Sequence, residues 1–274
     1  MSGEGRGIGN GAKASFRHRA SIITAYVILV ASAELLTSCA VRHGIAFGKY
    51  GIVFHAVILF ALLVHSASIL SSDPEFSRFL AVLIIAPLIR ILSLATPLAQ
   101  FSYITWFTIT SIPVYIAILM CLYLQHLKPG DVALALPKLK HLPLELATIL
   151  FAVPFGILEY HVLKPGIIVE PRLEALIIPA LIMLVCTGFL EELAFRGLMQ
   201  YHATRTIGFS GIILVSILFG FLHIGNLAVF DVLLAGSVGF IFSLVVRKTG
   251  SLYGVSISHG MINTVLFLIA PAYF

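Results

Sequence analysis

Charge is scarce in this chain. Lysine and arginine number 17, aspartate and glutamate 12, and only 11% of the 274 residues are charged, against roughly 25% in a soluble domain. With 59% of the side chains hydrophobic, a water-soluble fold of this size could not bury them, because surface falls too slowly with mass. Such a composition also excludes intrinsic disorder. Cysteine is nearly absent: Cys39, Cys121 and Cys186 are odd in number, lie in apolar runs and have no metal-ligand spacing. That excludes a disulfide scaffold and leaves them as small hydrophobes. Internal repeats and a large soluble domain are missing as well. The net charge of +5 does not imply nucleic acid as a partner, since basic residues also hold membrane loops on the cytoplasmic side. What remains is an all-α, polytopic membrane helix bundle of eight or nine spans, with the lipid bilayer as its first partner.

Nine apolar runs follow one another at about 20–41, 51–71, 77–97, 103–126, 146–163, 173–195, 209–225, 227–246 and 251–271. Residues 1–19, glycine-rich and basic, read as a flexible cytoplasmic tail. A polar stretch from Lys128 to Glu145 separates a four-helix front region, 20–127, from a five-helix back region, 145–271. The run at 146–163 is short and carries Pro154, Glu159 and His161, so eight spans is the alternative. With nine spans and the N-terminus inside, the inner segments hold twelve of the 17 lysines and arginines. The outer loops hold Arg42, Lys49, Lys164 and Arg172, and Arg90 stays in the membrane. This bias predicts a cytoplasmic N-terminus in a cell-membrane protein. The sequence around Leu36-Thr37-Ser38-Cys39 is similar to a lipoprotein signal, and Ala31-Ser32-Ala33 to a signal-peptidase site. However, Glu34 interrupts the apolar core, and an uncleaved first helix is expected.

Ionisable residues inside spans are informative because each is costly unless paired or hydrated. In the front region they are isolated: Glu34, His55, His65 and Arg90. An Arg90–Glu34 bridge between helices is expected, with the two histidines as packing residues. In the back region they are spaced. Glu192 and Arg196 stand at i, i+4 and can pair on one helix face. Glu191, about 100° around the helix, is left free to serve as a general base. His223 ends the next apolar run, and His259 and Asn263, again i, i+4, share one face of the last. Taken singly, these are consistent with a helix-end salt bridge, a terminal histidine and an interhelical hydrogen-bonding pair. Together they supply a base, a proton partner and two donors for an oxyanion, the components of peptide hydrolysis by water.

Glu191-Glu192…Arg196, Phe219…His223 and His259…Asn263 resemble the EExxxR, FxxxH and HxxxN motifs of the CPBP intramembrane proteases. That family includes the type II CAAX prenyl endopeptidases and the abortive-infection or bacteriocin-immunity proteins. Phe195-Arg196-Gly197-Leu198 and Lys248-Thr249-Gly250-Ser251 are similar to the family too, and the resemblance covers about 145–271. It implies an intramembrane endopeptidase acting on a peptide or lipidated protein. Glu191 with His223 would activate water, and His259 with Asn263 would stabilise the oxyanion. Glu192 and Arg196 would brace the helix or meet the substrate's C-terminal end.

Glu191, His223 and His259 could instead ligate zinc with water in the fourth position. No HExxH pair fixes two ligands on one helix, however, and Asn263 suits an oxyanion better than zinc, so a metal-free glutamate mechanism is expected. A proton- or ion-coupled transporter and a non-catalytic immunity or scaffold protein are the alternative functions. A monomer is the default. One tension is built into the sequence. In a simple ladder of spans Glu191 falls near the inner end of one helix and His223 near the outer end of the next, too far apart to share a water.

Overall fold

The structure is a computed structural model. It describes the backbone of residues 4–42 and 48–274 and the side chains of 15–39 and 50–274. Among the described residues every regular element is helical. Nine helices are long and apolar enough to cross a membrane: Ser15–Cys39, Tyr50–Ser68, Pro74–Ala95, Tyr103–Leu124, Leu139–Leu163, Leu173–Ile207, Phe209–Asn226, Val229–Thr249 and Tyr253–Tyr273. They are called the first to ninth helices below. All nine apolar runs of the sequence are represented. Helical backbone already begins at Glu4, within the stretch expected as a flexible tail. Extending an existing helix needs no new nucleus, although each glycine there costs about 1 kcal/mol. Residues 1–3 of that tail, and the side chains of Arg42 and Lys49, lie outside the described residues.

Two helices break where proline requires it. Proline has no N–H for the carbonyl four residues before it. Pro87 and Pro154 therefore leave the carbonyls of Leu83 and Leu150 without their usual partner, and helical segments end at those two residues. Asp73 caps the third helix by accepting a hydrogen bond from the Phe76 N–H at 3.2 Å. In the front region Arg90 forms the expected two-pronged ion pair with Glu34. The Nε2 of His55 lies 3.0 Å from the same carboxylate, though outside hydrogen-bond geometry. His65 pairs its Nδ1 with the Tyr26 hydroxyl at 3.1 Å.

The sixth helix determines where the back region's polar residues fall. Its 35 residues span about 50 Å at 1.5 Å per residue, well beyond a hydrocarbon core of about 30 Å. Two π-helical stretches, Met183–Phe189 and Leu193–Met199, flank Leu190–Glu192. Such wide turns are rare and frequent at functional sites. At Gly208 the chain reverses with φ +60° and ψ −142°, a backbone state open essentially to glycine alone. The seventh helix starts at the next residue. Gly208 lies nearly midway in sequence between Glu191 and His223, so the antiparallel pair carries both to nearly the same depth. The tension in the simple ladder disappears because the sixth helix is longer than a span.

The ninth helix packs on the sixth backbone to backbone. A Cβ on Gly188 would stand 2.5 Å from the Gly260 nitrogen, and one on Gly260 would stand 2.6 Å from the Leu184 Cα. Small residues permit such close crossings in membranes. Here the crossing sets His259 beside the glutamates.

Candidate active site

Glu192 is fully buried, and one of its oxygens, Oε1, holds two partners. Arg196 Nη1 donates to it at 3.0 Å, and His259 Nδ1 lies 2.8 Å away. A carboxylate only accepts, so this contact puts a proton on Nδ1 of His259 and fixes the ring. Nε2 is thereby turned toward Glu191, 3.9 Å from its Oε2. The expected i, i+4 pairing of Glu192 with Arg196 is thus present, and Glu191 is the partly exposed carboxylate, with 29% of its side chain accessible.

Arg196 is held from three sides. Its Nε reaches the Gly239 carbonyl at 3.4 Å, and its guanidinium lies over the Phe219 ring at 4.1 Å, a cation–π contact. Phe219 meets the rings of His223 and His259 at centroid distances of 5.0 and 5.9 Å. The aromatic residue of the second motif is therefore the spacer on which the arginine and both histidines rest. His223 Nδ1 lies 3.0 Å from the Phe219 carbonyl, which can only accept, so Nε2 is the nitrogen left for other chemistry. Asn263 donates through Nδ2 to Thr187 Oγ1 at 2.8 Å, and Thr187 in turn donates to the Met183 carbonyl within the first π stretch.

His223, His259, Asn263 and Glu192 line one cavity of about 40 Å³, walled also by Phe155, Phe219, Phe242 and Ile262. That is more than the roughly 10–15 Å³ needed to admit a water molecule, and its polar partners are those a water requires. Glu191 does not line this cavity. Adjacent to Glu192 on the helix, it stands beside the cavity, its Oε2 3.9 Å from His259 Nε2. Among the described residues no group of three His, Cys, Asp or Glu side chains is arranged to hold a metal ion. Glu191, His223 and His259 do not form such a group among the described residues.

One lining residue did not stand out in the sequence. Glu159, on the fifth helix, enters the cavity wall and lies against the carboxyl of Asp231. Asp231 is fully buried and accepts from Asn226 Nδ2 at 2.8 Å. The signal was available, since Glu159 is an acid inside an apolar run, but there it counted only against a span.

Residues 173–265, about a third of the chain, match the family model described as type II CAAX prenyl endopeptidase Rce1-like. No curated protein and no solved structure matches the chain. The matched stretch contains Glu191, Glu192, Arg196, His223, His259 and Asn263, and supports a CAAX-type intramembrane protease in general. The family that the three motifs resemble includes the type II CAAX prenyl endopeptidases, and residues 173–265 are similar to the model of that description.

Proposed function

We propose that the protein is an intramembrane endopeptidase that hydrolyses a peptide bond near a membrane-embedded or lipidated C-terminal segment. The observation that carries this reading is the small cavity shared by His223, His259 and Asn263 and braced by the Glu192–Arg196 pair. Glu191 is the base. Glu192 is committed to Arg196 and His259, whereas Glu191 is partly exposed and able to swing toward a water at His223. The water's oxygen attacks the scissile carbonyl while Glu191 takes its proton. Nε2 of His223 holds and orients the water, its Nδ1 being engaged by the Phe219 carbonyl. The carbonyl oxygen gains negative charge, and the donors for it are the second N–H of Asn263 Nδ2 and the Nε2–H of His259, which acts as an imidazolium, protonated on both nitrogens beside the carboxylates of Glu192 and Glu191. When the C–N bond breaks, Glu191 returns the proton to the leaving nitrogen. Glu192 acts through His259, holding the proton on Nδ1, and Arg196 neutralises Glu192. The chemistry is metal-free, and the substrate is a peptide or lipidated protein reached from the bilayer.

The test is cleavage of a farnesylated CAAX-box peptide and its unprenylated counterpart by purified protein in lipid vesicles, with metal content measured on the same sample. Glu191→Gln and His223→Ala should each lower kcat by about 10²–10⁴-fold, the usual contribution of a positioned acid or base. A strong chelator should leave the wild type unchanged. Activity retained in Glu191→Gln would overturn the glutamate mechanism, and stoichiometric zinc with chelator-sensitive cleavage would replace it with a metal one.

A further inference from the structure

The front helices lie outside the matched residues 173–265, yet their most buried charges lie against the turn that carries His223. Glu34 on the first helix is fully buried, and Arg90 on the third grips both its oxygens. The remaining guanidinium nitrogen of Arg90 donates to Ser93 Oγ at 3.2 Å, so the guanidinium plane is fixed at all three nitrogens. Its Nη2 end meets Gly225. A Cβ there would stand 2.8 Å from Arg90 Nη2, 3.7 Å from its Cζ and 3.8 Å from Glu34 Oε2. Gly225 is the middle residue of the 3-10 turn Ile224–Asn226 that immediately follows His223. On its front side Ser38 of the first helix donates to the Ile224 carbonyl at 3.2 Å. On its far side Asn226 is tied to Asp231.

Backbone conformation does not explain this glycine. The glycines of positive φ among the described residues are Gly208 and Gly250, so the backbone at Gly225 is open to any L residue. The obstacle to a side chain is the Arg90 guanidinium. We infer that the Glu34–Arg90 pair positions His223: locked by Glu34 and Ser93, the guanidinium packs on Gly225 and, with Ser38, fixes the height of the turn and hence of the imidazole. The inference rests on the proposed role of His223 and deepens it. A buried ion pair contributes little net stability over a well-packed apolar one, which leaves geometry as its use. It also gives the front helices a part in the reaction.

The experiment combines Gly225→Ala, Arg90→Lys and both together, read by steady-state cleavage of the farnesylated CAAX-box peptide and by ¹⁵N-histidine NMR of the full protein in micelles. The His223 signal is assigned by its loss in His223→Ala. Gly225→Ala keeps the ion pair and should lower kcat by about tenfold to a hundredfold, the scale of a misplacement near 1 Å. KM should stay within about twofold, and the His223 imidazole resonances should shift. Lysine lacks the fork that meets Gly225. In the Arg90→Lys background the same glycine substitution should therefore cost less than about threefold, with little further shift. Equal losses in the two backgrounds, or a folded Gly225→Ala protein with wild-type kcat and unshifted resonances, would overturn the inference. If Gly225→Ala fails to fold, Ser38→Ala takes its place: a His223 shift with a fall in kcat supports positioning, and neither change overturns it. Tyr26→Phe, a front-region change far from the turn, should move neither readout, and a comparable fall in kcat there would make the effect general loosening. Should the wild type cleave no such peptide, the proposed activity fails by itself, and the resonance shifts alone decide whether Arg90 positions the turn.

Discussion

Glu191 and Glu192 are sequence neighbours with opposite surroundings. Glu192 is buried with two cationic or donating partners on one oxygen, while Glu191 keeps an accessible carboxylate near a single histidine nitrogen. Removing Arg196 would leave Glu192 buried and unpaired, a loss that typically costs about 3–5 kcal/mol. Arg196→Ala should therefore lower the melting temperature in detergent sharply as well as abolish cleavage. Arg196→Lys should restore part of the stability but lose the flat contact on Phe219. Unaltered melting of Arg196→Ala would remove the bracing role. The i, i+4 pairing was legible in the sequence because helical periodicity determines it. The contact of His259 with Glu192 was not: it joins residues 67 positions apart and depends on how the sixth and ninth helices cross. The place of Glu159 in the cavity wall is not legible for the same reason, as its meaning depends on Asp231 of the eighth helix.

At the scale of helices, the crossing of the sixth and ninth is the contact on which the candidate site depends. Backbone atoms alone face Gly188, and at Gly260 the Leu184 Cα is nearer than that residue's own side-chain tip, so neither position can absorb a methyl group by a rotamer change. Gly188→Ala and Gly260→Ala should each force the two helices apart and displace His259 from Glu192. The expected result is loss of cleavage with a lower yield of monodisperse protein in detergent, and wild-type activity in either variant would contradict the close crossing. A second interhelical contact ties the fifth helix to the start of the ninth. Glu145 is buried and accepts from the Gly254 N–H at 2.7 Å, where a carboxylate also suits the positive end of the helix. Glu145→Ala should cost about 1–2 kcal/mol, the scale of a lost helix cap, measured as a shift of the thermal midpoint. In the sequence Glu145 looked like the end of a polar connector, because its partner lies 109 positions away.

At the scale of the molecule, the nine apolar runs became nine helices among the described residues because the bilayer-length pattern is local and can be counted along the chain. Depth could not be counted in that way. The overlong sixth helix and the reversal at Gly208 bring Glu191 and His223 level, and a ladder of equal spans contains neither. Sidedness depends on whether the fifth helix crosses: if it does, the connectors before and after it face opposite compartments. Gly130 and Gly166 lie in those two connectors, and a side chain at either would meet nothing within 4 Å, so each can carry a cysteine without disturbing the fold. With Cys39, Cys121 and Cys186 replaced by alanine, a membrane-impermeant maleimide applied to intact cells should label Gly166→Cys directly. Gly130→Cys should label only after permeabilisation, as a cytoplasmic N-terminus and nine spans require. Labelling of both from one side would mean that the fifth helix does not cross, and the opposite pattern would invert the protein. Under nine spans and a cytoplasmic N-terminus, the reversal at Gly208 lies on the cytoplasmic side. Because the seventh helix has 18 residues and the sixth 35, their shared depth at Glu191 and His223 then falls partway along the sixth helix, within reach of a C-terminal segment held in the bilayer.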